Sequence, residues 1–365
     1  MRIVFISAAK IPSDTANSIQ VMKVCQAFTQ MGHDITLLVP GNQPSAISHQ
    51  QMQSHYGLQV TFSIEWMAVR NRRLFPWKAI WRALHLDPDL LYDWPLQSAV
   101  LGLLSGKPSL LEIHDLPTGR FGPLWLRFFL IYPGRKRCLP ITGALRCALD
   151  LPEKLTVIAP DGVDIERYRD LPNADSARRQ LHLPEALTVL CTGHLYGGRG
   201  TDLFLKLATK FPLVRFVWVG GRPVDVEFWK ERATNLTNVT FTGFVPNEQI
   251  PLYQSAADVL LMPYGRAVTT SSGGNTAEIC SPMKMFEYMA AGRAILTSDL
   301  PVLREVLDET KAVFSPLEQV EAWESALGGL LADPQRRQVL GQSARSAVEQ
   351  YSWVKRAQRV LEGFL

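Results

Sequence analysis

Arg2-Ile3-Val4-Phe5-Ile6-Ser7-Ala8, a loop through Pro12 to Ser18, an apolar-periodic run from Ile19 to Met31, then Ile35-Thr36-Leu37-Leu38-Val39: this opening stretch decides the fold. The first run is rich in β-branched and aromatic residues, as a strand requires. Ile19, Met22, Val24, Ala27, Phe28 and Met31 follow at helical spacing, and Gly32 suits the position just past a helix end. A second apolar run comes directly after. Strand, helix, strand in this order is a parallel pair joined by a crossover helix. The first run is too short in its apolar core for a secretory leader and reads as strand one.

Further apolar runs at 90–92, 110–113 and 155–158 extend that sheet. The pattern then restarts. A strand at 187–191 leads into a glycine-rich loop and a helix at 202–210, and strands follow at 214–219, Val259–Met262 and 294–297. Between the two series lies the turn-rich Pro160-Asp161-Gly162-Val163-Asp164. The expected architecture is therefore α/β, with two Rossmann-like doubly wound units. A chain of 365 residues accommodates two such domains. Its composition, 47% hydrophobic and 20% charged, excludes disordered, collagenous and coiled-coil classes. No stretch has the ~20 uninterrupted apolar residues of a membrane span. The five cysteines lack CxxC spacing, which argues against a zinc site or a disulfide framework and for a reducing compartment. The net charge of +4 falls wholly in residues 1–165, which hold 16 Lys and Arg against 12 Asp and Glu.

Open parallel sheets bind ligands beyond the carboxyl ends of their strands, so three constellations there matter most. The first is Thr192-Gly193-His194-Leu195-Tyr196-Gly197-Gly198-Arg199-Gly200-Thr201. Its glycines let backbone N–H groups approach a ligand, the following helix start favours an anion, and Arg199 adds a fork suited to phosphate. The bland alternative is a glycine-rich turn with a solvated arginine. The loop is also a near miss to a P-loop, with Arg199-Gly200 in place of Lys and Ser/Thr, so the magnesium-binding hydroxyl is lacking. The second runs from Ser281 to Gly292. Ser281 is read as N-cap and Pro282 as the first helical residue, ahead of Met283. Lys284 then lies in the first turn, where the helix dipole disfavours a cation unless an anion binds there. Glu287, three residues on, shares its face; an exposed ion pair between the two is the plain alternative. The third is Leu110-Leu111-Glu112-Ile113-His114-Asp115, which puts His114 at a strand end with Asp115 as a candidate to orient it.

Together these pieces resemble bacterial retaining glycosyltransferases of the GT-B fold, in the GT4 group (group 1 glycosyltransferases). The resemblance rests on ANSIQVMK at 16–23 and GHDITLL at 32–38, IHD at 113–115, APDGVDIERY at 159–168 and TGHLYGGRGTDLF at 192–204. FTGFV at 241–245, AADVLLMPY at 256–264, SPMKMFEYMAAGRAILTSDLPVLREVL at 281–307 and YSWVKRAQRVL at 351–361 complete it. It implies two domains facing across a cleft: an acceptor-side domain over 1–167, a nucleotide-sugar-binding domain over 168–345, and a last helix, 346–365, returning to the first. It implies that Arg199 and Lys284 clamp the donor diphosphate and that Gly193, His194, Gly198, Ser281, Pro282 and Met283 line its site. Glu287 would hold the ribose, the backbone at Val245 would meet the base, and His114 would contact the donor sugar. The donor would be a UDP- or GDP-sugar, with no metal and no other cofactor.

Two departures stand out. The first glutamate of the family's E-x7-E motif falls on Ile279; Glu278, one residue early, is the candidate in its place. His194 stands where relatives often have Arg. These departures leave a second reading, a non-catalytic protein of the same fold that binds a nucleotide or a partner. Asp87-Pro88-Asp89 imitates a metal-binding DxD but precedes a strand, so it reads as a turn. The acceptor would be a glycan or a lipid-linked intermediate. Residues 70–85 place Trp77, Ile80, Trp81 and Leu84 on one helical face beside Lys78 and Arg82, the pattern of a helix lying on an anionic bilayer; a core helix is the alternative. Residues 124–132 are apolar nearly all round, which favours burial. The expected location is cytoplasmic, with peripheral contact on the inner face of the plasma membrane. Nucleic acid is not expected, since the basic runs are short and no binding motif accompanies them.

Overall fold

The computed structural model describes residues 1–44, 48–267 and 277–364. The chain forms two compact units, one of Met1–Asp161 joined by the chain from Trp353 onward, the other of Gly162–Ser352. In the first unit the strands are β1 (Arg2–Ile6), β2 (Asp34–Pro40), β3 (Ser63–Met67), β4 (Leu90–Asp93), β5 (Ser109–Ile113) and β6 (Lys136–Pro140). In the second they are β7 (Thr188–Thr192), β8 (Arg215–Val219), β9 (Val239–Phe241), β10 (Val259–Met262), β11 (Ala294–Ser298) and β12 (Ala312–Ser315). Both sheets are parallel throughout, in the orders β3-β2-β1-β4-β5-β6 and β12-β11-β10-β7-β8-β9. Each is the doubly wound Rossmann order. The chain leaves the central strand in one direction and resumes on its other side, between β1 and β4 and between β7 and β10.

Interior strands buried on both faces read as continuous apolar runs, and so β1, β2, β4, β5, β7, β8, β10 and β11 were legible. The edge strands were not. β6 begins Lys136-Arg137, whose charges interrupt the run; Arg137 donates to the carbonyls of Val360 (2.6 Å) and Glu362 (2.9 Å) and so holds the end of the chain. β3 carries Glu65, paired with Arg82 at 2.8 Å. The strand expected at 155–158 is absent: a 3-10 turn, Glu153–Leu155, occupies its start, and Thr156 makes a single bridge to Cys138. Val163 bridges Ser352, which places both inside the second unit. Asp87 and Asp89 lie at the amino end of β4, where Asp87 meets Lys107 at 2.6 Å and Asp89 accepts from the Arg2 N–H at 2.8 Å. They form a structural turn.

The last helix, Trp353–Leu361, packs in the first unit against the helix Ala16–Gln30. Its Arg356, buried, donates to Glu112 Oε1 (2.7 Å) and to the carbonyls of Pro160 (2.8 Å) and Ala159 (3.1 Å). In the second unit Trp218 sits at the centre of the core, edge-on to Phe204 at 5.2 Å. Its indole N–H donates to the Gly193 carbonyl at 2.9 Å, so core packing fixes the start of the glycine-rich loop.

Two helical glycines of this unit should respond oppositely to a methyl group. A Cβ on Gly341 would collide with the Gly292 carbonyl, whereas one on Gly329 meets nothing closer than Arg336 at 3.8 Å. In urea unfolding, Gly341→Ala should cost about 1–3 kcal/mol, while Gly329→Ala should be neutral or stabilise by up to about 1 kcal/mol through its helix propensity.

Candidate functional site

The second unit places its glycine-rich loop at the point where the strand order reverses. β7 ends at Thr192 and β10 at Met262, and these neighbouring strands release the loops beginning at Gly193 and Pro263. The loops are pinned together: Gly265 N–H donates to the Gly198 carbonyl at 2.9 Å. Gly200, at φ +82°, caps the helix Thr201–Lys210, and a side chain there would collide with Pro263. Gly193 (φ +120°) brings its backbone beside Lys284, so that a Cβ would stand 3.4 Å from Nζ. Across the sheet, Gly220 N–H donates to the Gly243 carbonyl at 3.0 Å, which ties the turn leading to Val245 to the same edge.

The helix Met283–Ala291 begins one residue later than expected. Pro282 is the N-cap residue, in extended conformation, and Ser281 precedes it, buried. A proline has no side-chain acceptor for the helix's first N–H groups, so the cap is left to backbone or ligand. Lys284 remains in the first turn, and the exposed ion pair with Glu287 is not formed. Lys284 is only 8% exposed; its ammonium lies 3.9 Å from Cys191 Sγ and 5.3 Å from the Tyr264 ring centroid. Glu287 instead accepts from Gln254 Nε2 at 3.3 Å. Arg199 reaches the same tyrosine, its guanidinium carbon 5.2 Å from the ring and Nη1 donating to the hydroxyl at 3.1 Å. Among the described residues neither Arg199 nor Lys284 forms a salt bridge, and Arg199 Nε is buried without a partner. Burial raises the Cys191 pKa, and the Lys284 charge offsets only part of that, so the group facing Lys284 is a neutral thiol.

Two cations therefore converge on one aromatic ring without a carboxylate between them. Burying charge without a counter-ion is costly, so this arrangement is suited to an anion supplied from outside. Tyr264 escaped the sequence reading, although it follows β10 directly at the strand end where ligands bind. His194 stacks on Tyr196 at 4.8 Å and 14°, with Arg222 over the other ring at 5.1 Å. Glu278 is exposed in a turn before the helix, so Glu278 and Glu287 do not share a helix.

In the first unit His114 follows β5 and is half-buried, its ring 4.5 Å from that of Trp94. The carboxylate beside it is not Asp115, which accepts from the Leu116 N–H at 2.8 Å and turns the chain. It is Glu112, whose Oε1 lies 3.0 Å from His114 Nε2. Residues two apart on a strand share a face, and that period could have identified the pair. Glu112 also accepts from Gln20, Tyr92 and Arg356. Burial would raise its pKa, but Arg356, His114 and Tyr92 together outweigh burial and hold it down to about 2. Asp93, equally buried, accepts from the Ser109 hydroxyl (3.1 Å), but burial outweighs the Ser98 and Ser109 hydroxyls and pushes its pKa up to about 7.

These two carboxyls should leave opposite signatures in stability against pH. Glu112 binds its proton less tightly folded than unfolded, so its contribution is present above about 4.5 and is lost as pH falls towards 2. Asp93 binds its proton more tightly folded, so stability declines as pH rises from about 3.8 through 7. Asp93→Asn should match wild type near pH 4 and exceed it at pH 8 by about 1–3 kcal/mol. Glu112→Gln should cost about 3–5 kcal/mol at neutral pH by orphaning Arg356, and should flatten the acid limb. Urea unfolding across pH measures both; an Asp93→Asn protein with the wild-type pH profile would remove Asp93 from this account.

Comparison with known proteins gives the site its context. Residues 186–333 match the family model for glycosyl transferases group 1. The chain is 29% identical over 213 residues to a GDP-mannose-dependent alpha-(1-6)-phosphatidylinositol monomannoside mannosyltransferase of Mycolicibacterium smegmatis, covering 56% of this chain and 54% of that protein. It is 31% identical over 150 residues to a phosphatidyl-myo-inositol mannosyltransferase of the same organism, covering 40% and 36%. The chain thus spans about half the length, or less, of these curated relatives. Among solved structures, it resembles Anabaena HepE in complex with UDP (TM-score 0.75, 15% identity, 100% of this chain and 99% of that one). It also resembles a glycosyltransferase from Rickettsia africae (TM-score 0.78, 11% identity, 100% and 97%). Residues 186–333 of the second unit are thus similar to the group 1 glycosyltransferase domain, and the two Rossmann-like units give the chain the fold of the GT-B glycosyltransferases it resembles.

Proposed function

We propose that this protein is a retaining, metal-independent glycosyltransferase that moves a sugar from a UDP- or GDP-sugar to a glycan or lipid-linked acceptor. The observation that carries the reading is the convergence of Arg199 and Lys284 on Tyr264 at the strand-order reversal of the second unit. A nucleoside diphosphate carries the charge this pair lacks. It also accumulates more when the bond from the sugar's anomeric carbon to the β-phosphate oxygen breaks and the bonding electrons leave with the phosphate. Preorganised cations aimed at that oxygen stabilise the transition state more than the ground state, which is the condition for catalysis. They supply the positive charge that a divalent ion provides in other phosphate sites. The acceptor hydroxyl oxygen bonds to the anomeric carbon on the face the phosphate leaves, and its proton departs with the diphosphate.

The other assignments follow the same proposal. Glu287, at the start of the second helical turn, accepts from the ribose hydroxyls, and the backbone leading to Val245 meets the base. His114, in the first unit, contacts the transferred sugar. One GDP-mannose-dependent mannosyltransferase relative and a fold neighbour in complex with UDP support a nucleoside-diphosphate sugar as donor. The five free thiols agree with a reducing, cytoplasmic setting.

Thermal unfolding against UDP, GDP, ADP, CMP and their sugars, without metal, tests the donor site. A ligand at ~100 times its dissociation constant adds about 2.7 kcal/mol. One diphosphate family should raise the midpoint, and Lys284→Ala should abolish that rise and lower turnover by roughly 10²–10³-fold. A folded Lys284→Ala with wild-type turnover would remove Lys284 from the mechanism. A thermal shift with neither transfer nor slow donor hydrolysis would favour the non-catalytic reading.

A further inference from the structure

The first unit leaves a large aromatic surface uncovered. The helix Phe75–His85 buries Phe75, Ala79, Ile80 and Ala83 against β1 and β2 and turns Trp77 and Trp81 outward, with Leu74 just before it; Trp81 is 62% exposed. The helix Gly122–Ile131, expected to be buried, is not. Only Leu126 and Phe129 point inward, while Leu124 (57%), Phe128 and Ile131 (69%) face out at helical spacing. Composition made this helix look like core; its neighbours cover one face only. The two outward stripes meet where Trp77 packs edge-on against Trp125, ring centroids 6.1 Å apart.

Apart from the Glu65–Arg82 pair, the charge carried by the two helices and their flanks is basic. No Asp or Glu occurs between Glu65 and Asp87, or between Asp115 and Asp150. Arg70, Arg73, Lys78, Arg120 and Arg127 are exposed around the two helices, and none of them is in a salt bridge among the described residues. Scattered exposed apolar residues are ordinary, but two adjoining stripes with tryptophan and a predominantly basic border are not. No helix of the described residues is long and apolar enough to cross a membrane.

We infer that the paired helices Phe75–His85 and Gly122–Ile131 are a docking face for an anionic lipid bilayer. Tryptophan and phenylalanine enter the headgroup–acyl boundary while arginine and lysine meet lipid phosphates. The charge complementarity selects this occupant. A second copy of the chain would bring like charges together, and a zwitterionic surface would leave the basic border unused. The inference goes beyond the proposed transfer reaction and does not depend on it, since its test reads binding alone.

Co-sedimentation of the full chain with vesicles of phosphatidylcholine, alone or mixed with phosphatidylglycerol, tests it. The protein should sediment with the anionic vesicles only, with partition falling as salt rises. Arg73→Glu with Lys78→Glu should weaken partition by at least fivefold per residue, given roughly that factor for each basic residue near the surface. Trp81→Ser with Phe128→Ser should abolish binding and leave the nucleotide-induced thermal shift in place. Should those variants fold poorly, quenching of tryptophan fluorescence in the unaltered chain by phosphatidylglycerol brominated in its acyl chains reads insertion directly. Folded wild-type protein that binds neither vesicle, or anionic vesicles that leave the fluorescence unquenched, would overturn the inference. So would a dimer in light scattering that Trp81→Ser with Phe128→Ser dissolves, which would assign the face to a second copy.

Discussion

A buried ammonium needs a counter-charge, and the second unit is arranged around one that has none among its described residues. Lys284 is placed by the first turn of its helix, with a neutral thiol on one side and an aromatic ring on the other. Arg199 approaches that ring from the glycine-rich loop, so the field at Tyr264 is positive. Much of the surrounding structure serves to hold this geometry. Trp218 anchors Gly193 from the core, Gly200 permits the tight passage past Pro263, and the Gly198–Gly265 hydrogen bond joins the two loops. Like charges near one another are unfavourable unless an anion lies between them. On the proposed function, the scaffold stores a small electrostatic cost that a diphosphate would relieve, and binding affinity and transition-state stabilisation would come from the same two residues.

The first unit handles buried charge in the opposite way. Glu112 is saturated by Gln20, Tyr92 and Arg356, and Arg356 in turn satisfies the carbonyls of Ala159 and Pro160. A buried pair of this kind adds little net stability over an apolar substitute, but removing one partner is expensive, so it fixes which parts of the chain meet. Here it fastens the last helix to β5 and sets a carboxylate beside His114. The contrast is informative: Glu112 and Arg356 complete each other's hydrogen bonds, whereas Arg199 and Lys284 face no carboxylate among the described residues, which is what the proposed anion site requires.

The sheets and the cations were readable from sequence because both follow short-range rules. Apolar runs fixed the central strands, and a lysine in the first turn of a helix was anomalous on dipole grounds alone. What was misread depends on distant neighbours. β6 hides behind Lys136 and Arg137, and the partners of Arg137 lie more than two hundred residues away. The outward face of Gly122–Ile131 has an ordinary core composition and is exposed because none of the described residues covers it. Tyr264 gains its importance from residues 65 positions before it and 20 after it, which no local pattern links. Glu112 is the exception, since the strand period already paired it with His114.

The most direct test of the account is calorimetric titration of the wild-type protein, without metal, with a nucleoside diphosphate and with the same nucleoside lacking phosphate. If Arg199 and Lys284 hold the phosphates, the diphosphate should bind at least about a hundredfold more tightly, as two charge-assisted hydrogen bonds imply. That gap should vanish when both residues are replaced by glutamine. Equal affinity for the two ligands, or a gap that survives the double replacement, would contradict the claim that these two cations are the diphosphate site.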